Sequence, residues 1–137
     1  MFEKMYEILG MLCLMLLLGG CAFMDPSDEK VKDRPYVVVE ADSLPEEIQK
    51  IIEEKKKEPF QMAYHEAEAT YIILGYGMQE TSGYTIQVNE VYDGKDSIWV
   101  DTDLYGPHKN DVGENSPSYP YVIIKTEKAE QLIRFKN

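Results

Sequence analysis

The chain is poor in the residues that most reactive proteins depend on. Cysteine occurs twice, at Cys13 and Cys21, and both lie in the first stretch. The rest of the chain therefore has no disulfide and no thiol chemistry. Basic residues are few, 14 against 25 acids, giving a formal net charge of −11 over 137 residues. Such a chain repels a phosphate backbone, which argues against nucleic acid as a partner. No internal repeat is visible, and the length allows one modest domain.

Histidine is also scarce, with only His65 and His108. His65-Glu66-Ala67-Glu68 carries metal-ligand residue types, but on a strand His65 and Glu66 point to opposite faces. The helical HExxH spacing is absent. His108 has no orienting partner nearby in sequence. Ser82 and Ser118 lack a nucleophile-elbow context, and no Gly-rich phosphate cradle opens a helix. The residues predict no catalytic group, no cofactor and no metal centre, so the chain reads as a non-enzyme. One alternative stays open, a small-ligand or cation-binding role. Asp101-Thr102-Asp103 begins like a calcium loop, and Asp111 or Glu114 could add a carboxylate. Against it, Tyr105 stands at the fifth position and Val112 at the twelfth, and neither supplies one.

The uncharged apolar run Gly10–Gly20, GMLCLMLLLGG, is too short to span a membrane comfortably and suits a signal-peptide core. It ends Leu18-Gly19-Gly20-Cys21, which resembles the bacterial lipobox, although the leading MFEKMYEIL is not clearly basic. That resemblance implies cleavage before Cys21 and lipid attachment to its sulfur. Residues 1–20 are then a signal peptide, and 21–34 a lipidated cysteine with a flexible tether. Residues 35–137 form one domain, held at the cell membrane on its extracytoplasmic face. Acyl chains contribute about 0.8 kcal/mol per buried methylene, so two or three of them hold a protein stably.

Tyr36–Glu40 reads as a short β-branched strand. Ser43-Leu44-Pro45-Glu46 predicts a helix start with Ser43 as cap and Glu46 completing a capping box. Leu44, Ile48, Ile51 and Ile52 form its apolar stripe, and Pro59 ends it. Gln61–Ala69 predicts a strand, and the continuously apolar Tyr71–Tyr76 a central strand covered on both faces. Gly75 and Gly77 suggest a bend or a close backbone approach.

The richest stretch is Ala69–Leu104. Tyr84, Ile86 and Val88 alternate with polar residues, and Ile98, Val100, Thr102 and Leu104 form a matching row. A three-residue loop, Tyr92-Asp93-Gly94, would set Val88 opposite Ile98 and Ile86 opposite Val100, with Gly94 left-handed. Trp99 would then sit on the polar face, either packed or exposed for contact. Tyr105–Pro117 predicts a long loop, Val122–Lys125 a strand, and Leu132–Phe135 a final strand. The fold class expected is α+β: an antiparallel, partly rolled sheet of about six strands with one packed helix.

Three segments carry a family resemblance: Thr81-Ser82-Gly83-Tyr84-Thr85-Ile86 after a Gly-rich strand, then Ile98-Trp99-Val100, then Ser118-Tyr119-Pro120-Tyr121-Val122-Ile123. Residues 71–135 resemble the C-terminal domain of PrcB, a lipoprotein subunit of a bacterial surface protease complex. Ser82 stands where that family usually has glycine. The resemblance implies a non-catalytic partner that binds and stabilises a secreted subtilisin-like serine protease, or another surface protein. Aromatic side chains near a mobile loop make natural anchors. Tyr84, Trp99, Tyr105, Tyr119 and Tyr121 are therefore the expected protein contacts, and Cys21 the expected lipidation site.

Overall fold

The computed structural model describes residues 29–108 and 115–136. The leader and Cys21 lie outside the described residues. Among the described residues there are eight strands: β1 (Lys32–Asp33), β2 (Tyr36–Val39), β3 (Pro59–His65), β4 (Ala69–Tyr76), β5 (Thr85–Asp93), β6 (Ser97–Tyr105), β7 (Tyr121–Glu127) and β8 (Leu132–Lys136). The same residues hold one α-helix, α1 (Glu46–Lys55), which follows a 3-10 turn at Ala41–Ser43. The class is α+β, as the residue pattern predicts. The strands divide between two four-stranded sheets, β1-β5-β6-β8 and β2-β7-β4-β3, rather than forming one rolled sheet. All pairings are antiparallel except β6 with β8.

Side-chain alternation on β4 explains the layering. Ile72 and Leu74 face the first sheet, where they meet Val91, Ile98 and Val100 together with Val122 and Ile124 of β7. Tyr71 and Ile73 face the other way, onto Leu44 and Ile52 of the helix segment, with Ile123. A strand between two apolar layers must be apolar throughout, and β4 is buried from Ala69 to Gly75. Ile72 and Ile73 are fully enclosed, and each such side chain contributes roughly 1.5–3 kcal/mol by leaving water.

Four local expectations are corrected. Ser43 does not cap α1: its hydroxyl donates to Glu40 O at 2.7 Å, and Pro45 occupies the cap position without a side-chain bond. The serine is drawn into the preceding 3-10 turn, an instance of local backbone bonding competing with the cap. Second, the tether predicted through Arg34 gives way earlier. Lys32 and Asp33 pair with Asp93 and Tyr92 of β5, and Arg34 N–H donates to Val91 O at 2.9 Å. Third, β3 ends at His65, and Glu66–Glu68 turn the chain into β4, with Glu66 N–H bonded to Ala69 O.

The fourth concerns the β5–β6 register. Ile86 opposes Leu104 and Val88 opposes Thr102; beyond an irregularity between Val88 and Glu90, Val91 opposes Val100 and Asp93 opposes Ile98. The extra residue shifts the alternation by one. Ile86, Val88, Val91, Ile98 and Val100 thus still share the inward face. Tyr92 and Asp93 belong to the strand, and Gly94 N–H bonds Ser97 O across a Lys95-Asp96 tip. Among the described residues, left-handed backbone occurs at Gly77 and Gly83, not at Gly94.

Candidate functional site

Both connections at one end of the molecule are built on glycine. The 77–84 connection opens at Gly77 (φ 79°) and closes at Gly83 (φ 90°), conformations that side chains resist. Pro107 packs on Gly83, where an added Cβ would lie 3.1 Å from the proline Cβ. Tyr84 packs reciprocally on Gly106, its Cε1 3.2 Å from the equivalent point. On the returning arm, Gln79 and Ser118 exchange two backbone bonds, at 2.8 and 3.0 Å. The Ser118 hydroxyl also donates to Thr81 O at 2.6 Å. Tyr76 N–H bonds Pro120 O at 3.1 Å. The 77–84 connection is therefore gripped from both sides by the loop that leaves β6 and enters β7.

Four of the five predicted contact residues gather at this end. Tyr105 closes β6 and is 52 % exposed. Tyr84 is half-buried beside it. Tyr119 is half-buried, with the Lys56 ammonium 5.7 Å from its ring centroid. Tyr121 opens β7 opposite Gly75 and packs toward the helix-side core. Met78, 58 % exposed, adds an apolar side chain that alternation did not single out; its only sequence signal is its place after Gly77.

Trp99 lies elsewhere. It precedes Tyr105 by six residues on one strand, a separation of about 20 Å at strand rise. It is only 9 % exposed. Arg134 and Lys136 of β8 lie 5.7 and 5.3 Å from its ring. The neighbouring Tyr92 is covered by Lys30 and Lys136. Long basic stems shield these rings on the outer face of the first sheet. Lys30 also binds Asp33 and Glu90. Its ammonium pKa is raised, first by the hydrogen bond to Asp33 and then by that to Glu90.

Among the polar candidates, Asp101, Asp103 and His65 are engaged within the fold. Asn89 Nδ2 donates to Asp103 Oδ2 at 2.8 Å and to Asp101 Oδ1 at 3.4 Å. Asp111, Val112 and Glu114 lie outside the described residues. Among the described residues, no three His, Cys, Asp or Glu side chains are grouped to hold a metal ion. His65 Nδ1 lies 3.0 Å from Thr70 Oγ1. That buried hydroxyl accepts from Ala129 N–H at 3.0 Å and reaches Ala129 O at 3.4 Å. If it donates to that carbonyl, the imidazole is the donor toward Thr70. His108 is exposed.

Comparison with known protein families gives a match over part of the chain. Residues 70–127 match the family model described as PrcB C-terminal. Those residues run from the start of β4 to the end of β7, and so include both glycine-built connections. Neither a curated protein nor a solved structure gives a match.

Proposed function

From a segment, residues 70–127, that belongs to the PrcB C-terminal domain family, we propose a non-catalytic domain that binds a protein partner through its glycine-built loop end. The family is not known as catalytic. The observation that carries the reading is the pairing of exposed Tyr105 and Met78 with loops stitched from both sides. Apolar and aromatic side chains on a preorganised platform bind without a large ordering cost. The partner is a secreted serine protease or another surface protein. Lipid on Cys21 moors the domain at the extracytoplasmic face of the cell membrane, where the two meet.

The test is recovery of partners from native membranes with the tagged full chain, beside a Tyr105→Ala form. A protein retained by the first and lost by the second supports the reading, and a serine protease among such proteins supports its specific form. Equal recovery with both forms counts against the loop end as the contact surface. Labelled fatty acid incorporated into the chain but not into a Cys21→Ser form tests the mooring separately.

A further inference from the structure

The two sheets do not close on each other along the side formed by β3 and β8. Gln61, Ala63 and His65 of β3 stand opposite Leu74, Ile72 and Thr70. They therefore share the face of β4 that looks toward the first sheet. An inner face between two sheets is ordinarily apolar and covered. These three are polar or small, and all three are exposed. Across from them, Ile133 and Phe135 of β8 share the inward face of Ile98 and Val100, yet they are only half-buried. The space between is an open groove of about 470 Å³, within the range of about 300–1,000 Å³ usual for ligand sites. An overhanging edge strand explains the polar residues on β3. It does not explain apolar side chains left uncovered on the facing wall, where Leu132 is 62 % exposed.

Both walls are held from one buried point. The enclosed Thr70 hydroxyl accepts from Ala129 N–H at 3.0 Å and lies 3.0 Å from His65 Nδ1. Ala129 directly precedes Glu130 and Gln131, which line the groove ahead of β8. One hydroxyl thus orients the imidazole on β3 and the turn that carries the acid and the amide. With Nδ1 engaged, Nε2 is the His65 nitrogen left for a ligand. The groove then offers two amides, one imidazole nitrogen and one carboxylate, with no lysine or arginine among its described lining residues. Such groups suit hydroxyls, which donate and accept at once. An uncharged sugar matches both walls, with C–H faces for Ile133 and Phe135 and hydroxyls around its rim for the polar side. An anionic ligand meets Glu130 and no base, in a chain whose net charge is −11. A cation meets one carboxylate among neutral groups. We propose that the groove between β3 and β8 binds an uncharged oligosaccharide. None of Tyr84, Tyr105, Tyr119 or Met78 lines it, so the site is independent of the loop end.

The experiment uses the purified full chain in a detergent without sugar headgroups. Radiolabelled cellotetraose, maltotetraose and tetra-N-acetylchitotetraose are titrated by equilibrium dialysis, with tetragalacturonate as the acidic counterpart. At least one neutral sugar should saturate, and tetragalacturonate should bind about tenfold more weakly or worse. Ala63→Phe fills the groove from an exposed position and should lower affinity about tenfold or more. Gln61→Leu removes one amide and should lower it about fivefold. Tyr105→Ala, at the loop end, should bind sugar like the parent. Thermal melts show which variants are folded, and if Ala63→Phe is not, Gln61→Leu decides. The proposal is overturned if no neutral sugar saturates or if tetragalacturonate binds as tightly. It is also overturned if the folded groove variants bind like the parent, or if Tyr105→Ala is the form that loses the sugar.

Discussion

The ring of Phe60 occupies the space that a side chain on Gly75 would need. The two residues oppose each other across β3 and β4, and an ideal Cβ on Gly75 would fall 2.4 Å from Phe60 Cε1. The glycine lets the ring lie against the strand backbone and close the helix-side core, which Phe60 joins. Gly75→Ala must push the ring out, an overpacking cost of about 1–3 kcal/mol. Thermal melts should show the loss. In the Gly75→Ala, Phe60→Ala pair the combined loss should be smaller than the sum, because the clash is gone. A Gly75→Ala chain that melts like the parent would sink this account.

Arg34 ties the two sheets together. Its Nε donates to Asp93 Oδ1 at 2.9 Å, and both side chains are 11 % exposed. Its Nη1 reaches Glu127 O at 3.3 Å. One guanidinium thus joins β5 of the first sheet to β7 of the second, where the chain crosses between them. Arg34→Met leaves a nearly buried carboxylate without its main partner, which typically costs about 3–5 kcal/mol. Lys32, 3.9 Å from the other Asp93 oxygen, offsets part of this, so the lower end is expected. Hydrogen exchange should speed at the Val31 and Arg34 amides, which bond Asp93 O and Val91 O. Unchanged exchange there would show that the guanidinium is not what holds β1.

How much of this was legible depended on how local each signal is. Period-two alternation placed Ile86, Val88, Ile98 and Val100 on one face, because facing inward needs only the strand's own geometry. Their register was not legible. It turns on one inserted residue near Asn89, and Val88-Asn89-Glu90-Val91 breaks the alternation without saying where the phase resumes. The apolar run Tyr71–Tyr76 announced a strand covered on both faces, yet not which elements cover it. Splitting into two sheets is a long-range outcome, set by β1 and β2 lying on different sheets either side of Arg34-Pro35. Ser43 failed as a cap because its hydroxyl has a nearer acceptor in Glu40 O. At the candidate site, aromatic residues near the long loop pointed to Tyr84, Tyr105, Tyr119 and Tyr121, which lie at one end of the strands. Trp99 was equally conspicuous, but arginine and lysine stems from β8, a parallel neighbour distant in sequence, cover it.

Asn89 bears on the cation alternative. Its amide nitrogen already serves the Asp101 and Asp103 carboxylates. A calcium ion at these acids would have to displace that donor. Thermal melts in calcium and in chelator should therefore coincide. Asn89→Ala should lower stability by about 1 kcal/mol, since the acids lose a donor and repel across an exposed face. A calcium-dependent rise in melting temperature in the parent chain would restore the cation reading.

Tyr105 and Trp99 separate binding from stability on a single strand. Trp99 is packed under β8 side chains and Tyr105 is half in solvent. Trp99→Ala should lose about 3 kcal/mol or more of stability, as large buried aromatics do on truncation. Tyr105→Ala should stay within about 0.5 kcal/mol of the parent, since it leaves no cavity in the core. Partner binding should show the opposite order once each variant is assayed well below its melting temperature. Tyr105→Ala should weaken it about 30-fold, equivalent to roughly 2 kcal/mol at a contact hot spot. Folded Trp99→Ala should bind within about threefold of the parent, a difference of about 0.7 kcal/mol. The two readouts are a denaturant melt and a titration of the partner recovered from membranes. If Trp99→Ala, still folded, loses binding while Tyr105→Ala keeps it, the contact surface is the outer face of the first sheet and not the loop end.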